Sequence, residues 1–279
     1  MLRTIDHGGY YETRLILMEI SLMIAGYFSF YQRDRRFWLM FASGAVFTAL
    51  TEYLLQASGL RGAGYGLSLF GMPVPAEIGP AIQGLTEGGA YSLFAFWFAD
   101  LRSARVPQKR WWSFYLLCAV VVGLALVAAL AARHLPVSSA RPMYAGASII
   151  AVTAIIFISL AVAWRRNALS DLANFCGGLL LFAFLNNEPL QLFGARYIGV
   201  AAGPTWVAAS TPIQIAMMFL SNIFEAAGSR LHFFVVPFAL GWITLTVTDP
   251  RKPYSTEELL DLAQRGWKRR SSPFKRDSN

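Results

Sequence analysis

Apolar runs close to bilayer-spanning length follow one another along most of this chain. That constrains the fold more than any motif does. A helix needs about 20 mostly apolar residues to cross the hydrocarbon layer. Runs of that order begin near Arg14, Phe37, Ala76, Ser113, Met143, Asp171, Thr205 and Leu231. Charged residues are only 14% of the chain and hydrophobic ones 56%, whereas an average soluble domain is about 25% charged. In lipid the backbone must satisfy its own hydrogen bonds, which helices do within one segment. The pattern therefore predicts an all-α, polytopic membrane bundle of seven or eight transmembrane helices over residues 1–250. The first run is span-length and lacks a small-residue cleavage site, so it reads as a span rather than a leader.

Residues 251–279 are different. They hold Arg251, Lys252, Arg265, Lys268, Arg269, Arg270, Lys275 and Arg276, much of the net charge of +8. Ser255 with Glu258 fits a capping box ahead of Leu259, Leu260 and Leu262. A short amphipathic helix over about 256–267, in a cytoplasmic tail attracted to anionic lipid headgroups, is expected. No recognition motif accompanies the charges, so nucleic acid is not an expected partner. Basic residues in the connections place the N-terminus outside the cell membrane by the positive-inside rule. Seven spans then reconcile that with a basic tail inside; eight do not.

The sequence from Phe47 to Leu93 is written a second time from Leu179 to Leu231. Glu52, Gln56, Gly59 and Arg61 correspond to Glu188, Gln191, Gly194 and Arg196, at offsets of 136, 135, 135 and 135. Pro75, Glu77 and Glu87 correspond to Pro212, Gln214 and Glu225, at 137, 137 and 138. Two parallel repeat halves are expected, about 14–110 and 143–248, joined by a linker helix at about 113–132. A division into four plus four spans fits the repeat equally well.

The acidic residues within or at the ends of the spans are all Glu: Glu19, Glu52, Glu77, Glu87, Glu188 and Glu225. An ionised carboxylate is costly in hydrocarbon, so such residues face the bundle interior or a water cavity. No Lys, Arg or His falls deep in a span to pair with them, which predicts protonated carboxyls bonded to Gln and Asn. A protonated buried Glu is a general acid. Glu87, followed by Gly88 and Gly89, and its counterpart Glu225 form the expected catalytic pair, supported by Glu52 and Glu188. Gln83, Gln214, Asn222, Asn187 and Glu77 are the expected substrate-binding groups. Interhelical glue is the competing explanation for each of them. His7, His134 and His232 lie at ends or in connections, and Cys118 and Cys176 stand alone, so neither a metal centre nor any other cofactor is expected.

Glu52, Gly59, the Gly64-Tyr65-Gly66 turn and Phe70-Gly71-Met72-Pro73 resemble the first-half signature of membrane-integral carotenoid hydratases. Pro75-Ala76-Glu77 resembles an element of the membrane lycopene cyclases, although their second Glu is Ile78 here. Gly71-Met72-Pro73 followed by Glu87 is similar to the fungal membrane-bound terpene cyclases. These resemblances cover about 40 residues of the chain. They imply metal-free, acid-initiated hydration or cyclisation of a lipidic isoprenoid by paired carboxylates. Without them the same carboxylates equally suit a proton-coupled transporter of a small solute, or a non-catalytic membrane subunit.

Overall fold

The computed structural model describes residues 2–5, 10–58, 68–103, 108–132, 139–142, 146–202, 205–243 and 257. Helix α1, Tyr10–Gly26, passes into a π turn, Tyr27–Tyr31, and α2 is Arg36–Ala57. A short α3, Gly79–Gln83, runs through a π turn, Gly84–Gly88, into α4, Gly89–Ser103. Then follow α5, Gln108–Ala132, α6, Gly146–Arg165, and α7, Leu169–Leu192. The last helical stretch is α8, Thr211–Ile223, a third π turn, Phe224–Ser229, and α9, His232–Ala239.

Among the described residues, four helices are long and apolar enough to cross a bilayer: Tyr10–Tyr31, Arg36–Ala57, Trp111–Ala132 and Leu169–Leu192. This is fewer than the seven or eight expected. The expected third span is broken by the π turn that contains Glu87, and the expected seventh by the π turn that contains Glu225. The apolar parts of the fifth and seventh, Ile149–Arg165 and Thr211–Ile223, are short. The expected eighth is only α9, with Pro237 inside it. The amphipathic helix expected at 256–267 lies outside the described residues, apart from position 257.

The all-α expectation also missed the strands. β1, Leu2–Ile5, β4, Ser139–Pro142, β5, Arg196–Ala202, and β6, Thr205–Ala208, form an antiparallel sheet in the order β4-β1-β5-β6. A smaller hairpin pairs β2, Ser68–Leu69, with β3, Met72–Pro73. Its two turn residues, Phe70 and Gly71, both have positive φ, 51° and 74°. That is the backbone of a two-residue hairpin turn whose twist matches its strands.

These pairings sort the connections into two ends. The sheet ties together the N-terminal strand, the strand between α5 and α6, and the strands between α7 and α8. The Phe70 N–H donates to the Glu12 carboxylate, which brings the β2–β3 hairpin to the same end. At the other end Arg36 bridges Asp34 at 2.6 Å and Asp100 at 3.0 Å. Asn174 donates to Ser103 there, and Arg166 to the carbonyl of Ala239 at 2.9 Å.

Helix α4 is the axis of the bundle. It is buried along nearly its whole length and packs on α2 and α7. Small residues allow the approach, as in membrane helix pairs generally. A methyl group on Gly44 would meet Ser92 and the Gly88 carbonyl; one on Gly88 would meet Thr48 and the Gly44 carbonyl. The freed space lets Ser92 Oγ donate to the Met40 carbonyl at 2.6 Å. Phe28 stacks on Phe37 at 3.8 Å, with Trp97 edge-on to both. The outer faces are the reverse of a soluble protein's: Met23, Phe30, Leu54, Leu116, Ile150 and Trp164 are exposed, while Arg14, Glu87, Asn186, Asn187 and Asn222 are buried.

Candidate functional site

Glu87 lies in the π turn between α3 and α4, with only 6% of its surface exposed. A π turn widens the helix by one residue and re-aims its side chains, and such turns are frequent at functional sites. Across from it is Arg230, just beyond the third π turn, Phe224–Ser229. Its Nη2 is 3.8 Å from Glu87 Oε2. The Arg230 guanidinium lies over the Tyr91 ring at 3.7 Å, a cation–π contact inside the protein. Tyr91 in turn packs on Phe182 at 3.9 Å.

Two more arginines share this region. Arg14, on the first full turn of α1, is 97% buried by its 3% exposure and lies over the Tyr10 ring at 4.7 Å. Arg196 opens β5 and is 4% exposed. Tyr10, Tyr91 and Glu87 act electrostatically on both. Burial pushes the Arg196 guanidinium below its ordinary value; Tyr10, Tyr91 and Glu87 pull it back up, and Arg230 lowers it further.

From Arg14 a hydrogen-bonded chain runs to Glu188. The Arg14 Nη2 group donates to Asn186 Oδ1, and Asn186 Nδ2 to Asn187 Oδ1 at 3.1 Å. Asn187 Nδ2 donates to Asn222 Oδ1 at 2.6 Å, and Asn222 Nδ2 to Glu188 Oε1 at 2.7 Å. Arginine can only donate and an ionised carboxylate can only accept, so the two ends fix the orientation of all three amides. Every donor points the same way, and such chains polarise cooperatively.

The other expected site residues fall as follows. Asn187, Asn222, Glu188 and Glu87 belong to this region. Glu52 and Gln83 are buried on α2 and α3, which pack together. The Gln214 amide is spent on β5: it accepts from the Ile198 N–H at 2.8 Å and donates to the Ile198 carbonyl at 2.7 Å. Glu77 is exposed, and its carbonyl accepts from the Tyr53 hydroxyl. The backbone of Glu225 lies in the third π turn; its side chain is outside the described residues.

The expectation that no cation faces these carboxylates is not met. Arg14, Arg196 and Arg230 sit at span edges, where a sequence reading counts them as flanking charges. The π turns and the fold of β5 carry two of them inward. The correspondence of Arg196 with Arg61 was the available signal for one; nothing comparable marked Arg14 or Tyr10. Among the described residues no group of three or more His, Cys, Asp or Glu is arranged to hold a metal ion. No family model matches this sequence, and comparison with curated proteins and with solved structures finds no match.

Proposed function

We propose that this chain is an integral membrane protein built from two parallel copies of one unit, which moves a small solute together with protons. The observation that carries the reading is the buried Glu87–Arg230 pair, one member from each copy. Support for the copies comes from the order of elements. A long helix, a β pair and a helix with a π turn occur as α2, β2–β3 and α3–α4 around Glu87. They occur again as α7, β5–β6 and α8 before the π turn of Glu225. Interrupted helices meeting at a repeat interface are where secondary transporters bind solute and coupling ion.

On this reading α8, its π turn and α9 make a seventh crossing. Gln214 holds its start to the sheet, and Arg166 meets its end at Ala239. The N-terminus and sheet then lie outside, and the basic tail from Arg251 lies in the cytoplasm against anionic headgroups. Solute entering beside Arg230 displaces Glu87 from the guanidinium, and the released carboxylate takes up a proton. Protein reconstituted in vesicles holding a pH-sensitive dye tests this. At least one solute from a panel of carboxylates, phosphates, amines and sugars drives proton movement. Dye signals indistinguishable from empty vesicles for the whole panel overturn it.

One observation favours the second reading, acid-initiated hydration or cyclisation of a lipidic isoprenoid. Glu188 is bonded by a neutral donor, Asn222, and can hold a proton there. Incubation with polyenes, followed by mass and retention-time analysis, checks it. A product that disappears in Glu188→Gln supports it, and unchanged polyenes with folded protein remove it.

A further inference from the structure

We infer that Asn222 is a positioning residue for the Glu87–Arg230 pair: its amide, clamped to α7, fixes the π turn that carries Arg230 to Glu87. Asn222 is the last residue but one of α8, and Ile223 alone separates it from the turn Phe224–Ser229. Arg230 caps the far end of that turn. Asn222 is fully buried, and both ends of its amide are committed to consecutive residues of α7. Its Oδ1 accepts from Asn187 Nδ2 at 2.6 Å, and its Nδ2 donates to Glu188 Oε1 at 2.7 Å. Two bonds to neighbouring positions of one helix set both the rotation and the height of α8 against α7. Asn187 is held in turn, through Asn186, to Arg14 of α1.

A wide turn of this kind has to be held. Successive residues of an α-helix are about 100° apart. If the π turn tightened to an α turn, everything beyond it would rotate by about that angle relative to α8. Arg230 would swing off the Tyr91 ring and away from Glu87, contacts that now stand at 3.7 and 3.8 Å. The far end is fixed as well. Ser43 of α2 donates to the Phe233 carbonyl at 3.3 Å, and the Phe233 N–H donates to the Arg230 carbonyl at 3.1 Å. With both ends held, the extra residue stays in the turn. A neutral amide suits position 222, because Glu188 offers an acceptor oxygen whether its carboxyl is ionised or protonated. The clamp therefore persists through a change of charge at Glu188.

The placing of the pair follows from these contacts; its use in proton movement rests on the transport reading above. A double-variant cycle of Glu87→Gln against Arg230→Gln tests the placing. It is run on the full-length protein by SDS unfolding in maltoside micelles, once with Asn222 in place and once in an Asn222→Leu background. Leucine keeps roughly the side-chain volume and loses both bonds. The coupling between positions 87 and 230 falls at least about twofold in that background. Gln214→Ala, which unties the opposite end of α8 from β5, is the comparison. It lowers stability and leaves the coupling at its wild-type value. If Asn222→Leu does not fold, Asn187→Ala, which takes the donor away from Asn222 Oδ1, gives the same fall. A merely structural role lowers stability without moving this second difference, so an unchanged coupling overturns the inference, as does an equal fall in Gln214→Ala. A reduced coupling, with no solute-driven proton flux in wild-type vesicles, removes the transport reading and leaves this role of Asn222. Flux in the wild type, with full coupling in the Asn222→Leu background, does the opposite.

Discussion

The buried charges make an asymmetric prediction about stability. Glu87 faces Arg230 directly and acts on Arg14 and Arg196, whereas each arginine has Glu87 as its shared neighbouring carboxylate. At 3.8 Å the Glu87–Arg230 attraction is about 4 kcal/mol for an effective dielectric of about 20. Removing one member of a buried pair costs about 3–5 kcal/mol when the other is left uncompensated. Glu87→Gln leaves Arg230 without the carboxylate it faces and removes a charge that acts on Arg14 and Arg196, so its cost falls in that range. Arg230→Gln leaves Glu87 with Arg14 and Arg196, and we expect about 1–2 kcal/mol, nearer the value of a single charged hydrogen bond. The double variant relieves both orphans, so it costs less than the sum by about 1–3 kcal/mol. Unfolding by SDS in mixed maltoside micelles, followed by tryptophan fluorescence, measures all three. Arg230→Gln as damaging as Glu87→Gln, or strict additivity, would refute the electrostatic argument.

Three further outcomes follow from other parts of the structure. Gly44→Ala forces a methyl against Ser92 and the Gly88 carbonyl, and should cost about 1–3 kcal/mol in the same micelle assay; wild-type stability would mean that α2 and α4 are not in backbone contact. Asn222→Asp can accept from Asn187 and donate to Glu188 only when protonated. Without that proton it sets an acceptor against the Glu188 carboxylate and should cost about 1–3 kcal/mol in the micelle assay; wild-type stability would contradict the relay. Gln214→Ala removes two hydrogen bonds to Ile198 and should cost about 1–2 kcal/mol. It should also speed amide exchange at Ile198, and unchanged exchange would count against the clamp.

Apolar run length carried most of what could be read of the fold. It placed α1, α2, α5 and α7 near their observed positions because each is a long, nearly uncharged helix. It gave no sign of where a helix is interrupted, since a π turn changes backbone registration without changing composition. The strands were invisible for a related reason. Trp206 and Val207 read as the start of an apolar span, and the pairing of β5 with Leu2–Ile5 depends on a segment far away in the sequence. In the site, Glu87, Glu188, Asn187 and Asn222 stood out because a polar group in an apolar run is costly and needs a reason. Arg14, Arg196 and Arg230 did not, because an arginine at a span edge is ordinary there. Their burial is set by where the helices begin and by how β5 folds back, which no local pattern records.

Proton movement in reconstituted vesicles, compared between the wild type and Glu87→Gln, tests the central claim most directly. Both proteins are first shown to be folded and inserted to the same extent. With a solute that drives dye acidification in the wild type, the account expects Glu87→Gln to give no coupled proton signal. Equal coupled flux in the two would mean that the Glu87 carboxylate carries no proton, and the account would fall.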